Sequence, residues 1–231
     1  QPLCRTKGTV IYQELEDIIG KAARVAHVVP TAKPFVAGLW GALSAVQTAP
    51  CAGSAAGKVP VPCRRFCYSA SWLRALLAEE ESCPLPLERL VLPASSAKAS
   101  ASGWSAEFDA SIYGGGAVLK DDSGRIVEYF AVVWEQTDVP SQLGVKALDS
   151  AFQTFWEGCV LLLLLCTWAD RFVDTSLAIL GDNTGALQSS VSMQGRGALL
   201  HVAREITWRR ARRGWRFAVG HLPSEHNVVA D

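Results

Sequence analysis

The sequence has no excess of either charge, because 22 lysines and arginines are balanced by 22 aspartates and glutamates among its 231 residues. Net charge therefore indicates neither an acidic nor a basic partner, and only the distribution of charge is informative. The sequence also lacks a secretory signal peptide, and its seven cysteines do not follow the regular spacing of a secreted disulfide framework. We therefore expect an intracellular protein, cytoplasmic or nuclear, with reduced thiols.

The sequence pattern predicts neither a zinc site nor a membrane-spanning helix. Cys63 and Cys67 have three intervening residues, with neither a histidine nor a second cysteine pair nearby to complete a tetrahedral site. The most apolar run, residues 159–168, has about half of the roughly 20 residues that a transmembrane helix needs. We expect this run to be a buried helix, with no membrane among the partners of the protein.

The first part of the chain has the apolar spacing of helices, and 49% hydrophobic residues are enough for a folded core. Residues 10–29 form an amphipathic pattern that has Ile18 on its apolar face and that Pro30 ends. A second helix is expected to open at Pro34 and to bury Trp40, and residues 71–79 indicate a third. Small residues at 94–103 have the composition of a flexible linker. We therefore predict a small, mostly helical segment at 1–93, a linker at 94–103 and a second domain at 104–231.

The second domain has short strand-like runs separated by turn residues, followed by alternating helices and strands. Asp121 to Gly124 have the composition of a hairpin turn between the second and third strands. The predicted element order is β-β-β-α-β-α-α-β, with strands near 106–112, 116–120, 126–133, 176–181 and 215–220 and helices near 146–168, 184–192 and 197–213. This order predicts an α/β fold with a mixed five-stranded sheet flanked by helices.

Four acids lie in apolar settings on these elements: Asp109, Glu157, Asp182 and Asp231. If they converge, each close pair repels by about 4 kcal/mol at an effective dielectric constant near 20, and divalent cations would offset this repulsion. Carboxylates are ligands that Mg²⁺ and Mn²⁺ prefer, and two such ions about 3.5 to 4 Å apart catalyse phosphodiester hydrolysis. Taken singly, Asp109 and Asp182 are better explained as strand-end turn formers or helix caps, and Glu157 as a solvated helix position. The four acids in this order on these elements instead favour a metal site.

Four short motifs resemble the ribonuclease H domain of retroelement reverse transcriptases, of the DIRS type or the gypsy type. They are FDAS at 108–111, GGGAVL at 114–119, GDN at 181–183 and HNVVAD at 226–231. The resemblance implies a ribonuclease H-like fold in which Asp109, Glu157, Asp182 and Asp231 are catalytic and bind two Mg²⁺ or Mn²⁺ ions. It also implies an enzyme that hydrolyses the RNA strand of an RNA–DNA hybrid, with water as the nucleophile.

The resemblance extends to a histidine and to the first part of the chain. His221 lies ten positions before Asp231, as a histidine does in the wider family, which implies a role in proton transfer or product release; a strand-end histidine without a role is the alternative. Residues 18–40 resemble the helical thumb or connection segment that follows the polymerase palm. The polymerase domain of the same polyprotein is therefore an expected partner, and we expect this chain to be a C-terminally truncated piece of a longer polypeptide.

Arginines are concentrated near the predicted basic helix, where Arg209, Arg212, Arg213 and Arg216 recur at three- and four-residue spacing. Several of them therefore share one helix face, which suits contact with nucleic-acid phosphates. A solvated helix face is the simpler alternative. Recognition by this face would involve backbone and 2′-hydroxyl groups and not the base sequence.

Two other functions fit the same motifs. The first is a ribonuclease H-fold module that has lost catalysis and serves as a nucleic-acid-binding scaffold of a larger polymerase. The second is an exonuclease or resolvase of the same fold that acts on DNA, since a fold does not determine the substrate.

Overall fold

The computed structural model describes residues 8–47, 59–77, 103–139, 141–146, 148–172, 175–223, 225 and 227. The chain divides into two compact units, Gln1–Leu85 and Pro86–Asp231. The predicted linker at 94–103 lies almost wholly outside the described residues, so the predicted domain boundaries stay a prediction.

The first unit is mostly helical, as the apolar spacing predicts. Its elements are β1 (Thr9–Ile11), α1 (Tyr12–Val28), α2 (Lys33–Gln47), β2 (Pro60–Pro62) and α3 (Cys67–Leu77), with β1 and β2 antiparallel. The core contains Leu15 and Ile19 from α1 and Phe35, Leu39 and Leu43 from α2. Two apolar side chains that the pattern assigns to buried faces, Ile18 and Trp40, are instead about half exposed.

The second unit contains a five-stranded mixed sheet. Its elements are β3 (Ser105–Ala110), β4 (Gly114–Lys120), β5 (Ile126–Val133), α4 (Gln153–Trp168), β6 (Leu177–Gly181), α5 (Thr184–Ser192), α6 (Leu199–Arg213) and β7 (Phe217–His221). The strand order is β5-β4-β3-β6-β7; β4 is antiparallel to both neighbours, and β3, β6 and β7 are mutually parallel. The predicted element order is confirmed, and these strand directions and flanking helices are those of a ribonuclease H-like fold.

Helix α4 is the centre of this unit. The segment Ser150–Phe172 is long and apolar enough, by length and composition alone, to cross a membrane. Within the domain, however, the side chains of Val160, Leu161, Leu164 and Leu165 are fully buried in the core against the sheet. The expectation of a buried helix at 159–168 is confirmed.

Two glycines let α4 approach its neighbours closely. A Cβ on Gly115 of β4 would lie 2.3 Å from the Val160 side chain, and one on Gly158 would lie 2.8 Å from Leu199 at the start of α6. The helix begins later than residue 146, the predicted start, because the Asp149 side chain accepts a hydrogen bond from the backbone of Ala151 and opens a short 3₁₀ turn there.

Candidate metal centre

Two of the predicted acids lie at the same edge of the sheet. The strands β3 and β6 are parallel, and the last pair in their register is Glu107 with Leu180. Asp109 follows two residues later near the end of β3, and Asp182 follows two residues later just past β6. The carboxyl ends of parallel strands meet at one edge, so the register alone places these two acids level with each other.

The third acid comes from α4. Glu157 lies in the second turn of that helix and its residue is only 2% exposed. Carboxylate oxygens of Asp109, Glu157 and Asp182 all lie within 4.8 Å of one another, which is close enough to share a metal ion. The structure therefore brings together three of the four predicted acids, whereas Asp231 lies outside the described residues and remains a prediction.

The electrostatics of Glu157 fit a cation site. Burial, together with the neighbouring charges of Asp109 and Asp182, raises the pKa of the Glu157 carboxyl to about 8, against hydrogen bonds from Gln153 and from the backbone of Ala110. Its Oε2 atom is buried without a hydrogen-bond partner among the described residues. A buried carboxylate oxygen of this kind is costly unless it coordinates a cation, so the residues present suit a hard divalent ion.

Two carboxamides that the sequence analysis does not single out lie beside the acids. Gln153 Nε2 donates to the backbone carbonyl of Ala110 and, over 3.2 Å, to Glu157 Oε1. Asn227 is fully buried, and its Nδ2 donates over 3.2 Å to the carbonyl of Phe108. The only signals in the sequence are the four-residue spacing of Gln153 from Glu157 and the place of Asn227 inside the last motif.

The residue after Asp182 fixes the start of the next helix. Asn183 caps α5, because its Oδ1 accepts a hydrogen bond of 3.0 Å from the backbone of Ala186. Its Nδ2 lies 3.5 Å from the hydroxyl of Thr154 on α4. The GDN motif therefore ends a strand, supplies an acid and begins a helix within three residues.

His221 lies at the same sheet edge. It is the last residue of β7, it is exposed, and it pairs in register with Gly181, which precedes Asp182. The neighbouring backbone of Leu222 donates to the Gly181 carbonyl over 2.9 Å. The position is compatible with the predicted role in proton transfer, and that role remains a prediction.

The predicted phosphate-binding arginines lie at the far end of α6 from the acids. Arg209 pairs with Glu205 on its own helix, Arg213 pairs with Asp170 over 2.6 Å, and the Arg212 guanidinium lies over the Trp208 ring. Arg216 follows in the loop before β7. Leu199, which packs against Gly158, is 14 residues and thus roughly 21 Å along the helix from Arg213.

A groove of about 700 Å³ is lined in part by residues that are close in sequence to two of the acids. It lies between the start of α4, helix α5 and the loop that precedes α6, and its lining includes Thr154, Gly185, Gln188, Gln194 and Arg196. Thr154 is three residues before Glu157, and Gly185 is three residues after Asp182. The groove thus offers amide, hydroxyl and guanidinium groups on elements that also carry or adjoin two of the acids.

No protein-family model matches the chain, and no curated protein matches it. Among solved structures, ribonuclease H1 of the halophilic archaeon Halobacterium salinarum NRC-1 is 20% identical, with a TM-score of 0.40 over 55% of this chain and 91% of that chain. LC11-RNase H1 in complex with an RNA/DNA hybrid is 16% identical, with a TM-score of 0.43 over 55% and 91%. A foamy viral protease-reverse transcriptase in complex with double-stranded DNA is 16% identical, with a TM-score of 0.34 over 94% of this chain and 33% of its own. The fold assignment rests on the strand order and directions described above.

Proposed function

We propose that this protein is a metal-dependent endonuclease that hydrolyses the RNA strand of RNA–DNA hybrids as part of a retroelement reverse transcriptase polyprotein, of the DIRS or gypsy type. The observation that carries the proposal is the convergence of Asp109, Glu157 and Asp182 within 4.8 Å. The resemblance of the motifs that contain Asp109 and Asp182 to retroelement ribonuclease H domains supplies the substrate class.

Asp109, Glu157 and Asp182, with Asp231 as the fourth ligand, would hold two Mg²⁺ or Mn²⁺ ions. When bound, such ions lower the pKa of a water molecule and stabilise the charge on the leaving oxygen of the phosphodiester. The carboxylates fix the position of the ions, and the buried setting of Glu157 keeps bulk water from competing for them. His221, at the exposed rim of the same edge, would take part in proton transfer or product release.

The groove would contact part of the backbone of the hybrid, because its amide, hydroxyl and guanidinium groups suit phosphate and sugar oxygens. We assign Arg209, Arg212, Arg213 and Arg216 to duplex phosphates that flank the cleaved bond, since the three on α6 lie roughly 15 to 21 Å along the helix from Leu199, which packs beside Gly158, and Arg216 follows the helix. Their contribution to binding would be electrostatic and would weaken as the salt concentration rises. Arg213 would have to leave its ion pair with Asp170 in order to contact a phosphate. The polymerase domain of the same polyprotein is the proposed protein partner, in the cytoplasm or the nucleus.

Cleavage of an end-labelled RNA–DNA hybrid tests the proposal. The full chain is compared with Asp109→Asn and with Asp149→Asn, a matched control in which asparagine preserves the turn cap that Asp149 provides. We expect cleavage of the RNA strand that depends on Mg²⁺ or Mn²⁺. Asp109→Asn should lower the cleavage rate by more than about 100-fold, because loss of a residue that only hydrogen-bonds to a metal ligand already lowers activity by about 10- to 100-fold. Asp149→Asn should cleave like the unaltered chain.

The same assay separates the alternatives. Binding of the hybrid without cleavage by the unaltered chain would favour a nucleic-acid-binding scaffold that has lost catalysis. Hydrolysis of duplex DNA in preference to the hybrid would favour an exonuclease or resolvase. Cleavage that persists in Asp109→Asn would contradict the assignment of the site.

A further inference from the structure

Strand β3 extends past the end of its pairing with β6. The last registered pair joins Glu107 to Leu180, and the chain leaves β6 one residue later. The even-numbered carbonyls of this part of the chain face β6, as shown by Trp104, which accepts a hydrogen bond from the backbone of Ala178. The carbonyls of Phe108 and Ala110, on either side of Asp109, therefore point towards β6 beyond the last registered pair.

Carbonyls in such a position need hydrogen-bond donors from outside the strand pair, because a buried backbone oxygen without a donor is costly. Each of the two carbonyls accepts a hydrogen bond from a side-chain carboxamide. Gln153 of α4 donates to the Ala110 carbonyl, and Asn227 donates to the Phe108 carbonyl over 3.2 Å. The backbone on each side of Asp109 is thus held by a residue that is far away in sequence.

The amide of Gln153 makes a second bond at the same time. An –NH₂ group carries two hydrogens, and Nε2 of Gln153 also donates over 3.2 Å to Glu157 Oε1. The four-residue spacing places Gln153 and Glu157 on one face of α4, so the bond needs no distortion of the helix. One neutral group therefore links the backbone of the strand that carries Asp109 to the carboxylate of Glu157.

We propose that Gln153 and Asn227 form an amide clamp that fixes the relative positions of Asp109 and Glu157 for metal binding. They are positioning residues, and the inference rests on the proposed function. A neutral amide suits this task because it holds the Glu157 carboxylate without cancelling the negative charge that attracts the cation. Lysine or arginine at the same place would compete with the metal for Glu157.

The test compares Gln153→Met and Asn227→Leu, which keep the approximate size of each side chain and remove the donor. Gln136→Met is the matched control, because Gln136 also donates from Nε2 to a backbone carbonyl, that of Val145, at 3.5 Å. For each full-length variant, calorimetry gives the dissociation constant for Mn²⁺, hybrid cleavage gives kcat and KM, and near-ultraviolet circular dichroism gives the folded fraction.

We expect the Mn²⁺ dissociation constant of both clamp variants to rise by about 10- to 100-fold, with a fall in kcat of the same order and an unchanged KM for the hybrid. Gln136→Met should keep all three values. A role in stability alone would lower the folded fraction and leave metal affinity and kcat per folded molecule unchanged, and that result would overturn the clamp. If Asn227→Leu does not fold, Gln153→Met decides the question by itself.

Failure of the clamp is distinguishable from failure of the proposed function. If the unaltered chain binds no Mn²⁺, the metal-dependent nuclease is wrong, and the clamp is wrong with it. If the unaltered chain binds Mn²⁺ and cleaves the hybrid while Gln153→Met does both equally well, the nuclease stands and only the clamp is wrong.

Discussion

Replacement of Glu157 by glutamine in the metal-free protein should increase stability at high pH. The carboxyl of Glu157 has an ordinary pKa of 4.5 in the unfolded chain, and burial together with Asp109 and Asp182 raises its pKa to about 8 in the folded state. Between these values the folded state binds more protons than the unfolded state, so stability falls as the pH rises through this window. The Glu157→Gln variant has no such proton to lose and lacks this decline.

The size of the effect follows from the two pKa values. At about 1.4 kcal/mol for each pH unit, the interval from 4.5 to about 8 corresponds to an effect on the order of 5 kcal/mol when the group is fully ionised. Most of it develops between pH 5 and pH 9, so the free energy of unfolding of the unaltered chain should fall by about 4 kcal/mol relative to the variant over that range.

Urea unfolding in the presence of EDTA, at intervals from pH 5 to pH 9, measures this difference. Glu128→Gln is the control, because Arg171 holds the pKa of Glu128 below its ordinary value, so its replacement should give a difference that is constant over this range. Added Mn²⁺ should reverse the order at pH 8 by stabilising the unaltered chain more than Glu157→Gln. Parallel pH profiles for the unaltered chain and Glu157→Gln would refute the reasoning.

Three further predictions concern other parts of the second unit. Gly181→Ala should lower the free energy of unfolding by about 1–3 kcal/mol in urea, because the new Cβ would lie 2.6 Å from the Phe108 ring; an unchanged midpoint would show that the ring can move. Burial raises the pKa of the Cys159 thiol to about 12, so iodoacetamide at pH 8 should label it only after unfolding, and mass spectrometry showing rapid native labelling would contradict this. Arg213→Ala should change stability by less than about 1 kcal/mol but reduce the slope of hybrid affinity against salt by about one, and an equal slope would exclude a phosphate contact.

The acids were predictable from the sequence because each has a local signal. Glu157 is a lone charge in an apolar helix, and Asp182 follows a short apolar run whose length predicts a buried strand. The order of helices and strands then brings the ends of parallel strands to one edge. The element order and the convergence of three acids follow from such local patterns, and the structure confirms both.

The carboxamides were not predictable, because their hydrogen bonds join distant parts of the chain. Gln153 and Ala110 are 43 positions apart, and Asn227 and Phe108 are 119 positions apart. Neither amide has an unusual local setting, so the need for these donors becomes visible only when the end of the β3–β6 pairing is known. The exposure of Ile18 on α1 has a similar origin, since periodicity identifies an apolar face but not which part of it a neighbouring element covers.

The arginines of α6 show how a local signal can carry two explanations. Their concentration in the last turn places positive charge at the helix C-terminus, where it interacts favourably with the unpaired carbonyls of the helix. Asp170 neutralises part of that charge by pairing with Arg213. The two residues are 43 positions apart, so a local sequence pattern cannot predict this ion pair. Helix stability and an ion pair therefore account for these positions without nucleic acid, whereas nothing comparable accounts for three acids around a buried carboxylate oxygen. The acids are consequently the stronger argument for a nuclease, and the arginines contribute to it only if the salt dependence of hybrid binding changes with their removal.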